Sequence, residues 1–175
     1  AIAAATQKRT CTIPLQVLAE YSRQPGFDAQ REVTATLYRG REVVQLLPGR
    51  REALFGVAVD IGTTSIVVFL CDLLRGEIVN VSTAVNPQAL YGEDVISRMT
   101  EVLREPENLG TMQRLLVDEL NRLICEGAES AGIDANDIVD AVAVGNPTMQ
   151  HILLGINPEP LGRGPYLPIL SEGAV

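Results

Sequence analysis

From Leu54 onward the apolar residues come in short runs divided by polar punctuation, and the spacing of the runs sets the elements. "LFGVAV" leads into Asp60, "SIVVFLCD" covers Ser65 to Asp72, and "EIVNVSTA" covers Glu77 to Ala84. Each run is bounded by turn residues, so successive strands are predicted. Gly76 in "DLLRGE" supplies the positive φ a hairpin turn wants, and the meander is therefore antiparallel. Beyond it the period changes from two to between three and four. Gly92 to Arg104 reads as a helix, and Leu109, Met112, Leu115, Leu116, Leu120, Leu123, Ile124 and Ala128 mark a longer one from Asn108 to Ala131 that Gly132 stops. "IVDAVAVGN" follows as a buried strand, and "PTMQHILLG" as a short helix opening on Pro147.

The resulting order, β-β-β-α-β-α, predicts an α/β fold with a ribonuclease-H-like sheet whose functional groups gather at the strand ends. Residues 1–30 mix small, polar and Pro/Gly positions and read as a linker with one helical piece at Leu15 to Tyr21. Residues 31–52 read as a small hairpin-containing domain: Val33, Ala35 and Leu37 alternate with polar neighbours, Arg39-Gly40 turns, and Val43 to Leu47 forms the return strand. Residues 53–175 hold the main domain.

Composition narrows the function classes. At 46% hydrophobic the chain has material for a core, and a net charge of −8 without a basic block argues against nucleic acid as a partner. No apolar run reaches membrane-spanning length, so no membrane partner is expected. Cys11, Cys71 and Cys125 are far apart and match no close-spaced metal pattern, which points to a reducing cytoplasm. Cys71 and Cys125 read as small core residues.

The chemistry concentrates in "DIGTTS", Asp60 to Ser65. Gly62 allows a sharp turn, while Thr63, Thr64 and Ser65 offer amides and hydroxyls in succession, the makings of an anion nest. Asp60 closes the strand where a magnesium ion could be held through water. The plainer alternative is a hairpin turn that is polar because turns are polar. Glu93 and Asp94 stand at a helix start, where carboxylates suit the helix dipole, or else face the site and orient water or magnesium. Arg98 is spaced to pair with Asp94 on an exposed helix face. Gly145 and Asn146 end the last strand at the same edge as Asp60, with Asn146 serving as a nucleotide contact, as a helix N-cap, or as both. His151 reads as a packed or surface histidine.

"GVAVDIGTTS" resembles the first phosphate motif of the acetate and sugar kinase, heat-shock chaperone and actin ATPases. That resemblance implies the first lobe of an actin-like ATPase fold, Asp60 near magnesium, and Thr63, Thr64 and Ser65 near the β and γ phosphates of ATP. "NPQALYGEDVISR" and "VGNPTMQHILLGINP" narrow it further, because with the hairpin ahead of them they resemble the reductive activators of corrinoid proteins. Membership of that group implies an ATP-dependent passage of an electron to an inactive Co(II) corrinoid, restoring Co(I) for methyl transfer. It implies a corrinoid iron-sulfur protein or corrinoid methyltransferase component and an electron donor as partners, with homodimerisation also expected. It further implies a [2Fe-2S] domain and a second lobe beyond this chain, which on its own would be inactive. An N-terminal lobe of a sugar kinase of the FGGY type is the alternative. A ribonuclease-H-like nuclease using Asp60 with Glu93 or Asp94, and a docking module without chemistry of its own, are two others.

Overall fold

The structure, a computed structural model, describes residues 11–25 and 32–169. The outer parts of the expected linker and the last residues of the chain lie outside them. The chain divides into two units, Ala1–Leu54 and Phe55–Val175.

In the first unit, strands β1 (Val33–Tyr38) and β2 (Glu42–Pro48) form an antiparallel hairpin with a register shift between Thr36 and Leu37. Helix α1 (Leu15–Ser22) packs on that hairpin, burying Val17 and Tyr21 with Val43 and Leu46. Thr12 also bridges to Glu42. The helical piece expected within a linker is thus part of the small unit's core. A two-stranded hairpin has too little apolar surface to be stable alone, and the helix covers its face.

The second unit is a mixed sheet in the order β5-β4-β3-β6. Strands β3 (Phe55–Ile61), β4 (Ser65–Asp72) and β5 (Glu77–Val85) run antiparallel in succession, and β6 (Ile138–Gly145) lies parallel to β3. A parallel neighbour needs a long crossover. Helices α2 (Val95–Arg104) and α3 (Glu107–Ala131) supply it, and α4 (Pro147–Leu153) and α5 (Glu159–Gly162) follow the last strand. The predicted β-β-β-α-β-α order is observed with α2 and α3 together filling the crossover and the short α5 added after α4; α2 starts later than expected because Pro87–Tyr91 forms a separate 3₁₀ turn and Asp94 caps the helix.

Strand alternation places Val57, Val59 and Ile61 of β3 and Ile66, Val68 and Leu70 of β4 on one face. Met112, Leu116, Leu120 and Leu123 of α3 cover that face, joined by Met149 and Ile152 of α4. The opposite face carries Ala58 and Asp60, both exposed, together with Val79, Val81 and Val85 of β5. Cys125 is exposed on α3 and Cys71 is half-buried, so neither is the core residue that the apolar runs around them predict. The α3 stripe is narrower than the helix, and Cys125 falls outside it. No helix among the described residues is long and apolar enough to cross a membrane.

Candidate functional site

The β3–β4 hairpin is paired out to Ile61 and Ile66, leaving Gly62, Thr63 and Thr64 to make the connection into Ser65. Space selects the glycine: a Cβ at position 62 would lie 2.6 Å from the Ser65 carbonyl oxygen, closer than two such atoms can approach.

All of the turn's carbonyls are held from within the protein. Asn86 Nδ2 donates to Gly62 O at 2.9 Å, and the Asn86 backbone N–H donates to Thr64 O at 2.8 Å. Arg98 Nη2 donates to Thr63 O at 2.6 Å. A trans peptide directs its carbonyl and the following N–H to opposite sides. Tying these carbonyls inward therefore turns the amides of Thr63, Thr64 and Ser65 the other way, and those of Thr63 and Thr64 have no partner among the described residues. Consecutive free amides with an adjacent hydroxyl form a concavity suited to an anion.

Asn146 completes the rim. Its Nδ2 donates to Thr63 Oγ1 at 3.1 Å, while its Oδ1 accepts the Met149 N–H at 3.0 Å and so caps α4. Gly145 ends β6 against β3, and a Cβ there would meet Ile61 O at 3.0 Å. Asp60 lies one residue before the end of β3, level with Val144 of β6 and exposed on the sheet face away from α3. The structure thus brings Asp60, Gly62, Thr63, Thr64, Ser65, Gly145 and Asn146 to one end of the sheet.

Glu93 and Asp94 are not part of that cluster. Asp94 Oδ1 accepts the Ser97 N–H at 2.8 Å as the N-cap of α2, and this bond above all holds its carboxyl below the usual carboxylate range. Glu93 lines an open groove of 660 Å³ with Leu90, Tyr91, Ile96 and Glu101.

The expected surface pair between Asp94 and Arg98 is not formed. Asp94 has extended backbone (φ −126°, ψ 171°), so the helical four-residue spacing does not bring the two onto one face. Arg98 turns inward instead and has no exposed surface. Its Nε donates to Gly92 O at 3.0 Å and its Nη1 to Gln88 Oε1 at 3.2 Å and Met149 Sδ at 3.3 Å. Burial lowers its pKa, with the Asp94 charge opposing that shift; guanidinium remains protonated even so.

Asn86, Gln88 and Arg98 are the functional neighbours that residue-by-residue reading misses. A signal was present: two of the three Asn-Pro pairs, Asn86-Pro87 and Asn146-Pro147, start helical turns with the asparagine as cap and the proline in the first positions. His151 is packed, as expected. It is fully buried, Nδ1 lies 2.7 Å from Pro147 O, and Nε2 accepts the Ile169 N–H at 3.2 Å.

Three comparisons with known proteins bear on this arrangement. The sequence profile of the family described as "RACo middle region" matches residues 55–175. The matched residues are those of the second unit. The corrinoid activation enzyme RamQ of Eubacterium limosum is 35% identical over 130 residues, covering 73% of this chain and 22% of that protein. Among solved structures, a "Reductive activator for corrinoid,iron-sulfur protein" superimposes with a TM-score of 0.77 at 30% identity, covering 95% of this chain and 27% of that one. The chain therefore spans about a quarter of the length of these relatives.

Proposed function

The chain belongs to the RACo middle-region family, and from that premise we propose that it supplies the phosphate-binding turn of an ATP-dependent reductive activator, which returns a Co(II) corrinoid protein to Co(I) for methyl transfer. The observation that carries the reading is the set of carbonyls at Gly62, Thr63 and Thr64 drawn inward, leaving successive amides free at the sheet end.

In this reading the amides and hydroxyls of Thr63, Thr64 and Ser65 donate to the β and γ phosphate oxygens, positioned before the nucleotide arrives and so costing little reorganisation. Gly145 and Asn146 border the nucleotide from the neighbouring strand. Asp60 accepts from the water shell of a magnesium ion. Magnesium, when bound with the nucleotide, neutralises phosphate charge. Among the described residues no group of three or more His, Cys, Asp or Glu could hold a metal ion. A single carboxylate still fits magnesium, which takes most of its ligands from water and phosphate. A [2Fe-2S] cluster does not fit this chain, since four ligating side chains are needed and its three cysteines stand apart. An electron would enter through an iron-sulfur domain elsewhere in the protein.

Asp94 serves as a helix cap, and Glu93, which lines the groove along α2 rather than the turn, orients water from there. Residues 53–175 act as the first lobe of an actin-like ATPase domain, and nucleotide binding biases the protein toward the conformation that reduces cobalt. A low-potential reduction is uphill from its donor, and binding the two cobalt states differently supplies the missing drive. A corrinoid iron-sulfur protein or methyltransferase component is the partner, an external donor supplies the electron, the protein acts as a homodimer, and the setting is cytoplasmic.

The test uses the protein at full length, mixed anaerobically with a Co(II) corrinoid protein and a low-potential donor while the visible spectrum is followed. The Co(I) band is expected only after ATP is added and is lost in Asp60→Ala. Cobalt reduction at the same rate without ATP, or undiminished in Asp60→Ala, would overturn the proposal. ATP consumption that depends on an added polyol, with no cobalt reduction, would move the site to the sugar kinases.

A further inference from the structure

Beyond Leu54 the chain has no lysine. Arg75, Arg104, Arg122 and Arg163 are engaged in ion pairs with exposed partners or acids of their own helix or turn, and Arg114 bonds Thr111. A phosphate site ordinarily recruits a lysine or arginine to meet the ligand directly. At this turn the cation that touches the peptide stands behind it, and it is Arg98.

We propose that Arg98 is the positioning residue of the turn: its guanidinium sets the peptide plane that presents the Thr64 amide to an anion, and its buried charge supplies the positive potential that the turn lacks. The inference rests on the phosphate reading above.

Geometry supports the first half. The guanidinium is held on several sides, at Gly92 O (3.0 Å), Gln88 Oε1 (3.2 Å) and Met149 Sδ (3.3 Å). Gln88 is itself fixed by donating from Nε2 to Met112 O at 3.0 Å. What remains of the fork, Nη2, reaches Thr63 O at 2.6 Å. Because the carbonyl of Thr63 and the amide of Thr64 share a plane, holding one aims the other.

Chemistry supports the second half. Every acceptor around the guanidinium is neutral; among the described residues Asp94 is the carboxylate whose charge acts on it, and it does so without touching it, being held as the cap of α2. Burying a charge is costly, and an apolar side chain of similar volume would fill the space at less cost. A cation kept there acts on the anion site through a low-dielectric medium, where its field is little screened. In a chain of net charge −8, that local sign matters for a polyphosphate.

The experiment is calorimetric titration of the full-length protein with ATP and, separately, with adenosine, for wild type, Arg98→Met and Arg98→Lys. Selective amide labelling reports the Thr64 resonance. Arg98→Met keeps the volume and removes the charge. It is expected to weaken ATP at least about tenfold, the loss typical of a charge-assisted contact, and to leave adenosine binding unchanged. Arg98→Lys restores the charge without the fork, so ATP affinity recovers in part while the Thr64 resonance stays displaced. ATP binding unchanged in both variants overturns the proposal. So does a loss of ATP and adenosine in equal proportion, which marks a purely structural role. Should Arg98→Met fail to fold, Arg98→Lys decides: wild-type affinity with an unmoved Thr64 resonance overturns the inference. A wild-type protein that binds adenosine but gains nothing from the phosphates removes the phosphate reading itself, a result separable from any variant.

Discussion

A methyl group has nowhere to go at Gly62. Gly62→Ala would press a Cβ to within 2.6 Å of Ser65 O, so the turn must open. The expected loss is about 1–3 kcal/mol in denaturant unfolding, the range for overpacking, with weakened ATP binding in the same variant. Asn86 is equally constrained, since it is fully buried, donates to Gly62 O and accepts the Gln88 N–H. Asn86→Asp keeps the acceptor and loses the donor. It is expected to cost about 1–3 kcal/mol by stranding the Gly62 carbonyl against a carboxylate, and a cost within error of zero would show that Gly62 is held some other way. Asp72, at the far end of the same hairpin, behaves differently because it titrates. The Arg75 backbone amide first, then the Arg75 guanidinium and the Leu74 amide, hold its carboxyl below the ordinary aspartate value of 3.8, against the opposing effect of burial. A depressed pKa means the contribution is complete above 3.8 and is lost as pH falls through the lower folded value. Asp72→Asn should therefore flatten the acid limb of a stability-against-pH curve and leave its neutral region unaltered in slope.

The long helix α3 is the element on which the second unit depends. Met112 and Leu116 are fully buried against β3 and β4, while Val117, one position on, is 37% exposed. Leu116→Ala is expected to cost about 2–5 kcal/mol, and Val117→Ala less than about 1 kcal/mol, measured by urea denaturation; similar costs would mean that α3 is not seated as described. The shorter helices carry less stability and more of the site. The Asn86 turn, α2 and α4 each send one side chain to the Gly62–Thr64 connection, through Asn86, Arg98 and Asn146. Their burial is therefore coupled to the shape of the turn, and loosening any one of them should be felt in nucleotide affinity before it is felt in global stability.

At the scale of the molecule, the sheet of the second unit is covered on one face and open on the other. Val81 and Val85 on one edge strand and Val142 and Val144 on the other are each more than half exposed. The register joins Val142 to Val81 across the sheet through Ala58 and Phe69, and so much apolar surface is unusual on an isolated soluble protein. The chain on its own should bind an apolar fluorescent dye and self-associate at high concentration, and Val81→Lys should reduce both; analytical ultracentrifugation showing a clean monomer with no dye binding would contradict this. The family relatives are about four times longer, so a comparison with the full-length protein is the natural control.

Much of this organisation was legible in the chain. Strand periods of two and a helix stripe at three and four residues located β3, β4, β5, α3 and β6, because each period follows from local backbone geometry alone. The order of these elements gave the sheet, and the acid-glycine-threonine run marked the turn. What sequence alone left open depends on contacts between residues distant along the chain. It could not show that Arg98 is 35 residues from the carbonyl it holds, or that the pair with Asp94 fails because Asp94 lies outside the helix. Nor could it show that Asn86 and Asn146, far apart in sequence, meet at one turn. Such long-range polar contacts leave no periodicity behind, since any residue with the right donor could make them, and only the packing of β3 between β4 and β6 brings their owners together.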